Sequence, residues 1–274
     1  MRVISISSGK GGVGKTLTTV NFALAARKMG LSVLILDGDL GLANVDIVMG
    51  LQARYNIRDV LDGTVSLQDV IVEGPMGIQV IPSGSGISSL ASLSYVQKSH
   101  ILGEIGQLST QPDLLLIDTG AGISSNVTHF NQAADKIVVV TTPEPHAMTD
   151  AYALTKVLSE EFHISEVHLL VNQAHSAAEG INVYERIADV ARRFLKAKIN
   201  YIGHVPSDAS IPRAVMARSA VGATSTATIA GQAWNQIARN TISDLIRSMP
   251  AKRAESVWSG LLWNEHTAVA SGQF

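Results

Sequence analysis

Eight consecutive residues near the start of the chain have the composition and spacing of a loop that binds phosphate. They run Gly9-Lys10-Gly11-Gly12-Val13-Gly14-Lys15-Thr16 and match the pattern G-x-x-x-x-G-K-[ST]. Glycine lets the backbone turn tightly enough for its N–H groups to surround phosphate oxygens. A lysine at this place supplies positive charge to the β- and γ-phosphates, and the threonine hydroxyl binds Mg²⁺. We therefore expect Lys15 and Thr16 to hold a nucleotide and its metal ion.

The same segment also satisfies G-x-G-x-x-G, the pattern of dinucleotide-binding folds, through Gly9, Gly11 and Gly14. Asp37 follows at about the place where such folds carry the acid that binds ribose. The phosphate-loop interpretation is favoured, because a site for pyrophosphate alone has no need of a lysine and a threonine directly after the last glycine.

Three aspartates lie at or just after strand-like segments, and they could take part in metal chemistry. Asp37 and Asp39 flank the end of the second segment, and Asp118 ends the run Leu-Leu-Leu-Ile-Asp. Asp118 is typical of a Walker B carboxylate, which binds Mg²⁺ or its water. A single aspartate at a strand end often caps a neighbouring helix or turn. Two of them beside a phosphate loop favour metal and water chemistry over capping for Asp37 and Asp118.

These residues need a scaffold that brings them together, and the sequence predicts one. Seven short runs rich in valine, isoleucine and leucine are expected to be strands: residues 3–7, 33–37, 78–81, 114–118, 137–142, 168–172 and 201–205. The runs are continuous rather than alternating, as in strands buried on both faces. Helical patterns cover residues 18–29, 147–161, 183–195 and 223–247. This alternation predicts an α/β fold, a mostly parallel β-sheet covered by helices on both faces.

Composition excludes several kinds of chemistry. The 274 residues contain no cysteine, and 21 basic against 23 acidic residues give a formal net charge of −2. A chain without cysteine cannot form disulfides, thiolate-bound iron–sulfur clusters, cysteine-ligated zinc sites or a thiol nucleophile. The near-neutral charge argues against whole-surface binding of nucleic acid. Because we find neither a signal peptide nor an apolar run of membrane-spanning length, we expect a cytoplasmic protein.

Lys10 and Lys15 together give K-G-G-x-G-K-[ST], the deviant Walker A box of the MinD/ParA ATPases, which the chain resembles over residues 2 to about 247. The resemblance continues through residues 37–46, 118–122, 142–145 and 205–208. Within the family, the chain is similar to the MinD-like flagellar number regulators of the FlhG/FleN type. The segments D-G-D-L-G-L-A-N-V-D, D-T-G-A-G-I and T-D-A-Y-A-L carry that likeness. The resemblance implies a P-loop NTPase domain over residues 1–248.

The resemblance also implies how ATP and Mg²⁺ are held. The residues expected to bind the ATP phosphates are Gly11, Gly12, Val13, Gly14, Lys15 and Thr16. Thr16, Asp39 and Asp118 are expected around Mg²⁺, and Asp39 is also expected to position the attacking water. The expected catalytic residues are Lys10, Lys15 and Asp39.

Other implied roles concern the partner subunit and the adenine base. Lys10 is expected to reach across a dimer interface to the phosphates of the other subunit, and Glu144 to contact that subunit. Asn172 is expected to bind adenine, with Pro206 and Asp208 in a loop that closes over the base.

For the whole protein, the resemblance implies a slow ATPase that dimerises with ATP, separates after hydrolysis and limits flagellar number or placement. Its expected partners are a transcriptional activator of flagellar genes and a signal-recognition-type GTPase. Some such regulators stimulate the GTPase through an N-terminal extension. This chain starts at its first strand, so control of the GTPase is expected to use another surface. Two alternatives stay open: an ATPase that positions cell division or partitions DNA, and an ATP-sensing module that sequesters a transcription factor with negligible catalysis.

Two further segments have competing interpretations. Residues 249–274 form a tail in which Trp258, Leu261 and Leu262 could line one apolar face of a helix. Such a helix is expected on the inner face of the cell membrane, at a cell pole. The alternative is that the tail packs back on the domain.

Five basic residues lie on and after one predicted helix: Arg186, Arg192, Arg193, Lys196 and Lys198. A solvated helix face is favoured for them, and direct DNA binding is not expected.

Overall fold

The strands of this computed structural model, which describes residues 1–40, 44–84, 93–216 and 228–248, form one sheet. In chain order the strands are β1 (Arg2–Ser8), β2 (Val33–Gly38), β3 (Val72–Glu73), β4 (Gln79–Ile81), β5 (Leu114–Ala121), β6 (Lys136–Thr141), β7 (Glu166–Ala174) and β8 (Lys198–Pro206). Their order across the sheet is β3-β4-β2-β5-β1-β6-β7-β8. Every pair is parallel except β3 with β4. The carboxyl ends of the parallel strands therefore meet at one edge of the sheet, where ligands bind in folds of this kind.

Ten α-helices lie in the described part of the chain. They are α1 (Lys15–Lys28), α2 (Val45–Met49), α3 (Ile57–Leu61), α4 (Leu67–Val70), α5 (Tyr95–Gly106), α6 (Ser125–Gln132), α7 (Pro145–Glu160), α8 (Ala177–Phe194), α9 (Ser210–Met216) and α10 (Ile229–Ser248). Three of the short ones begin with a capping box. In α3, α4 and α5 the side chain of the capping residue, Asn56, Ser66 or Ser94, accepts a backbone N–H of the first turn. The side chain of the third helical residue in turn accepts the backbone N–H of the capping residue.

The helices cover both faces of the sheet because successive strand residues point to opposite sides. On one side, Ile4 and Ile6 of β1 belong to a buried cluster that includes Trp234 of α10 and residues of α1. On the other side, Val3 of β1 lies in a cluster with residues of α5 and with Phe130 of α6. A third cluster joins β6 and β7 to α7 and α8.

The predicted α/β architecture and all seven predicted strands are confirmed, with ends that shift by up to three residues. The sequence patterns missed the two-residue strand β3, the helices α2 to α6 and the helix α9. The patterns missed α6 because four of its eight residues, Asn126, Thr128, His129 and Asn131, are polar yet buried, so it has no simple apolar stripe. The predicted helix over 223–247 is α10, which begins at Ile229. Residues 223–227 and the predicted tail over 249–274 lie outside the described residues.

In the described ranges, no helix is both long enough and apolar enough to cross a membrane. The division of the chain into a domain over residues 1–248 and a separate tail stays a prediction.

Candidate functional site

The phosphate loop joins the end of β1 to the start of α1, and its glycines are required by geometry. Gly12 and Gly14 have φ angles of 78° and 94°, in the left-handed region that favours glycine. A Cβ on Gly14 would also lie 2.3 Å from Nδ2 of Asn172, and one on Gly9 would lie 2.0 Å from the carbonyl oxygen of Asp150. Directly after Gly14 the loop enters the amino terminus of α1, where free N–H groups and the helix dipole favour an anion.

Lys15, Thr16 and Asp118 lie together beneath this loop. Asp118, in the carboxyl-terminal half of β5, is 1% exposed, and it accepts hydrogen bonds from the Thr16 hydroxyl and from Thr19 Oγ1 at 3.2 Å. Burial raises the pKa of Asp118 to about 6, although the Thr16 hydrogen bond and the charge of Lys15 oppose that rise. Lys15 is itself 8% exposed. The hydroxyl and carboxylate oxygens suit Mg²⁺, which prefers hard oxygen ligands.

Asp37 lies beside Asp118 on the neighbouring strand β2, but its carboxylate is already engaged. It accepts the backbone N–H groups of Asp39, Asn44 and Val45 at 3.2, 3.0 and 3.1 Å. Burial, followed by the nearby charge of Asp118, raises the pKa of Asp37 well above its usual value. The structure thus favours the capping interpretation for Asp37, which anchors the start of α2, over the metal chemistry that the sequence had favoured.

Asp39 is half-buried and lies two residues beyond Asp37, close to the end of β5. A Cβ built on Gly120 would lie 3.6 Å from Asp39 Oδ1. Gly120 belongs to the segment 118–124, which we call switch II. Asp39 therefore faces switch II and is near enough to Asp118 for its charge to raise the pKa of that carboxyl. In the described residues, no group of three or more His, Asp or Glu side chains could hold a metal by itself. This fits Mg²⁺, which proteins commonly hold through few carboxylates together with substrate phosphates.

Lys10 and Glu144 form an ion pair within the chain. Lys10 Nζ donates to Glu144 Oε1 at 2.6 Å, and the two side chains are 34% and 52% exposed. The hydrogen bond and charge of Lys10 lower the pKa of Glu144. Such an exposed pair contributes little free energy, so both side chains are free to exchange partners at small cost. Their predicted contacts with a second subunit stay predictions.

The three residues predicted to surround adenine border one cavity of about 210 Å³. Asn172, at the end of β7, donates from Nδ2 to the Val13 carbonyl at 2.8 Å, which ties the cavity to the phosphate loop. Asp208 accepts the N–H and hydroxyl of Ser210 at 2.9 and 2.6 Å. The full lining is Leu17, Asn172, Gln173, Pro206, Ser207, Asp208, Ala209, Ile211, Pro212, Ala230 and Trp234.

Two of the cavity residues that sequence reasoning missed have distinctive features. Gln173 has a φ of 57°, an uncommon backbone conformation for a residue with a side chain. Trp234 of α10 is 1% exposed and donates its indole N–H to Thr18 Oγ1 at 3.2 Å. No local motif surrounds Trp234, so only the packing of α10 against α1 reveals its place. The predicted basic face of α8 is exposed, and Arg192 pairs with Asp189 on the same helix.

The raised pKa of Asp118 makes a prediction about stability without nucleotide or metal. The carboxyl ionises near pH 3.8 in the unfolded chain and near pH 6 in the folded one. The folded state therefore loses stability as pH rises from about 4 to 6. We expect Asp118→Asn to be more stable than wild type by about 1–3 kcal/mol above pH 6, and the difference to vanish near pH 4. Denaturant unfolding in a chelating buffer at several pH values measures this.

Asp113→Asn is the matched control, because hydrogen bonds from Ser32 lower the pKa of Asp113. That carboxylate stabilises the fold when ionised, so its variant should lose stability relative to wild type as pH rises. A stability difference for Asp118→Asn that does not change with pH would contradict the prediction.

Comparisons with known proteins agree with this geometry. A family described as AAA domain matches residues 1–173. The antiactivator FleN of Pseudomonas aeruginosa is 40% identical over 221 residues, which cover 81% of this chain and 79% of that protein. The flagellum site-determining protein YlxH of Helicobacter pylori is 35% identical over 246 residues, which cover 89% and 83%.

A solved structure extends the likeness to three dimensions. The septum site-determining protein MinD complexed with Mg-ADP, from Pyrococcus horikoshii OT3, superposes with a TM-score of 0.73 at 25% identity. The match covers 91% of this chain and 99% of that one. The resemblance drawn from the Walker A box, including its likeness to flagellar number regulators, is confirmed. The chain belongs to the AAA-domain family of P-loop ATPases, in the MinD/ParA group of deviant Walker A proteins.

Proposed function

We propose that this protein is a nucleotide-driven switch that hydrolyses ATP slowly and only as a dimer. The observation that carries the proposal is the meeting of Lys15, Thr16 and Asp118 beneath the phosphate loop. Phosphoryl transfer to water needs positioning and charge stabilisation more than covalent chemistry. A buried lysine, a hydroxyl and a carboxylate beside a helix amino terminus supply both.

In this proposal, each residue of the site has one task. The N–H groups from Gly11 to Thr16 bind the ATP phosphates, and Lys15 neutralises the charge that develops on them. Thr16, Asp118 and Asp39 would hold Mg²⁺, and the bound ion would offset the negative charge of the phosphate oxygens. Asp39 orients the attacking water and accepts a hydrogen bond from it. Asn172, Pro206 and Asp208 hold the base.

The ion pair between Lys10 and Glu144 suits a switch that depends on dimerisation. Because the pair is exposed, Lys10 can leave Glu144 and reach the phosphates of a second subunit. Hydrolysis then requires two subunits, in the way that an arginine finger supplied by a partner accelerates other P-loop enzymes. ATP favours the dimer, and the two subunits separate once the γ-phosphate is lost.

The biological role we propose is control of flagellar number or placement. The likeness to an antiactivator and to a flagellum site-determining protein supports this role. The proposed partners are a transcriptional activator of flagellar genes and a signal-recognition-type GTPase, bound by the ATP-loaded dimer. The tail over residues 249–274 is proposed to contact the inner membrane surface. The likeness to a septum site-determining protein supports a second candidate, a positioning ATPase of cell division.

Asp39→Ala tests catalysis separately from binding. We expect ATP affinity and ATP-dependent dimerisation to change little, while turnover falls by on the order of a hundredfold or more, because the water loses its orienting group. Phosphate release and size-exclusion chromatography measure the two properties. Asp62→Ala, which removes an exposed acid remote from the loop, is the control and should behave as wild type. Equal turnover by wild type and Asp39→Ala would favour a binding module without catalysis.

Mixing two inactive variants tests whether Lys10 acts across the dimer. Lys10→Ala keeps Asp39, and Asp39→Ala keeps Lys10, so a mixed dimer contains one complete site. A 1:1 mixture should recover about a quarter of wild-type turnover, since half of randomly formed dimers are mixed and each has one complete site of two. Recovery is expected only in the mixture. If the mixture stays inactive although mixed dimers form, Lys10 does not act in trans.

A pull-down tests the biological partners. The full chain is immobilised and exposed to extract of the cells that produce it, with and without a non-hydrolysable ATP analogue. We expect the flagellar activator and the GTPase to be recovered only with the analogue, because only the ATP-loaded dimer presents its partner surface. Lys15→Ala, which loses the phosphate-binding lysine, is the control. Recovery of division or DNA-partition proteins instead would overturn the flagellar role.

A further inference from the structure

A chain of four polar side chains crosses the core beneath switch II. Ser5 and Ser7 of β1, Thr119 of β5 and Asn131 of α6 have no exposed surface. The face of β1 that carries Ser5 and Ser7 also carries Val3, which packs in the apolar cluster with α5 and α6. Central strands of a parallel sheet are usually apolar on both faces. Buried hydroxyls in such a place need hydrogen bonds, and here they find them in one another.

The distances define a continuous chain. Ser5 Oγ and Ser7 Oγ lie 2.6 and 2.8 Å from Asn131 Oδ1. Ser7 Oγ also lies 2.8 Å from Thr119 Oγ1. Thr119 Oγ1 in turn lies 2.9 Å from the Gly120 carbonyl oxygen and 3.3 Å from the Ile6 carbonyl oxygen. Nδ2 of Asn131 has no partner in the described part of the chain. The α6 end of the chain therefore offers only an acceptor.

Each hydroxyl has a single proton, so not all of these contacts can be hydrogen bonds at once. In a held arrangement, Ser7 donates to Thr119, and Thr119 donates to the Gly120 carbonyl. In a released arrangement, Ser7 donates to Asn131, Thr119 donates to Ser7, and the Gly120 carbonyl loses its hydroxyl donor. Ser5 donates to Asn131 in both. The two arrangements contain three hydrogen bonds each, so they are close in free energy.

One end of the chain is tied to β1, and the other lies at the rim of the sheet, where the Gly122 N–H donates to the Ser8 carbonyl at 2.9 Å. Beyond Asn131, the backbone of Val3 donates to Asp135 Oδ2 at 2.9 Å, and the Asp135 N–H donates to the Val3 carbonyl at 2.9 Å. These bonds tie the end of α6 to β1. Gly120 and Gly122, in contrast, are glycines on the partly exposed rim, and Gly122 has a φ of 89°. A change from the held to the released arrangement therefore alters the hydrogen bonding of switch II, at the Gly120 carbonyl.

We propose that Ser7 and Thr119 are positioning residues that set how readily switch II takes up its ATP-bound conformation. In the held arrangement, Thr119 fixes the Gly120 carbonyl against the core. In the released arrangement, Gly120 can reorient toward the γ-phosphate, which orders loops of this kind in P-loop switches. ATP then selects the released arrangement, while ADP binds both equally. This inference rests on the proposed function, because it needs a protein that distinguishes ATP from ADP.

The proton count predicts opposite effects for two substitutions in the same chain. Ser7→Ala leaves Thr119 only backbone acceptors, and because the Gly120 carbonyl at 2.9 Å is nearer than the Ile6 carbonyl at 3.3 Å, Gly120 stays held. Thr119→Val removes the hydroxyl that holds Gly120, so switch II is released. We expect the full-length protein to bind ADP within about twofold of wild type in both variants. A non-hydrolysable ATP analogue should bind about fivefold more weakly to Ser7→Ala and up to about twofold more tightly to Thr119→Val.

Isothermal titration calorimetry with ADP and with the analogue measures these affinities. Thr119→Ser keeps the hydroxyl and is the matched control, expected to show the wild-type ratio of the two affinities. Ser5→Ala offers a second route if Ser7→Ala does not fold. It leaves Asn131 Oδ1 short of a donor and draws the Ser7 proton toward it, so its ratio should shift in the direction of Thr119→Val.

The outcomes separate this inference from the function beneath it. If Ser7→Ala and Thr119→Val both weaken the analogue, or if neither shifts the ratio, the hydroxyls have only a structural role and the inference is overturned. Wild type would still bind and hydrolyse ATP in that case. If wild type binds neither nucleotide, the proposed function itself fails. Opposite shifts with an unchanged Thr119→Ser control support the exchange of protons described above.

Discussion

The constraint on which this site depends is the burial of two carboxyl groups, Asp37 and Asp118, side by side on adjacent parallel strands. In this poorly solvated interior, burial raises the pKa of both groups, and repulsion from the charge of Asp118 raises the pKa of Asp37 further. The fold offsets this repulsion differently for each group. Three backbone N–H groups surround Asp37, whereas hydroxyls and the charge of Lys15 face Asp118. The oxygen atoms of Asp37 are thereby occupied by backbone N–H groups of the segment that leads to α2, whereas Asp118 keeps oxygen atoms available for a cation.

This division of work explains where sequence reasoning succeeded. The phosphate loop and the strands follow from local rules, since glycine, lysine and threonine at fixed spacing and short apolar runs are visible in a few neighbouring residues. The carboxyl ends of the strands then had to lie at one edge, which brought Asp118 near Lys15 without further information. The role of Asp37 could not be inferred in the same way, because it depends on whether the next backbone segment turns back over the carboxylate.

The same limit applies to residues that act through packing. Ser5 and Ser7 look like interruptions of an apolar strand, and only the position of Asn131 on α6 shows why they are tolerated there. Trp234 borders the cavity from a helix more than 200 residues away from Thr18 in the sequence. Short helices such as α3 and α4 were missed because one or two turns give too little periodicity, although their capping boxes are present in the sequence. What could not be predicted was therefore mostly contact between distant segments.

The position of β1 in the sheet has a consequence for how the protein is made. In the sheet, β1 pairs with β5 and β6, which begin at Leu114 and Lys136. The phosphate loop attached to β1 therefore cannot be seated until β6 has been translated, and the cavity beside it also awaits α10. During that interval the nascent chain exposes an apolar strand without partners, a state that favours aggregation and binding by chaperones. The centre of the finished sheet is thus the part of the protein that waits longest for its neighbours during synthesis.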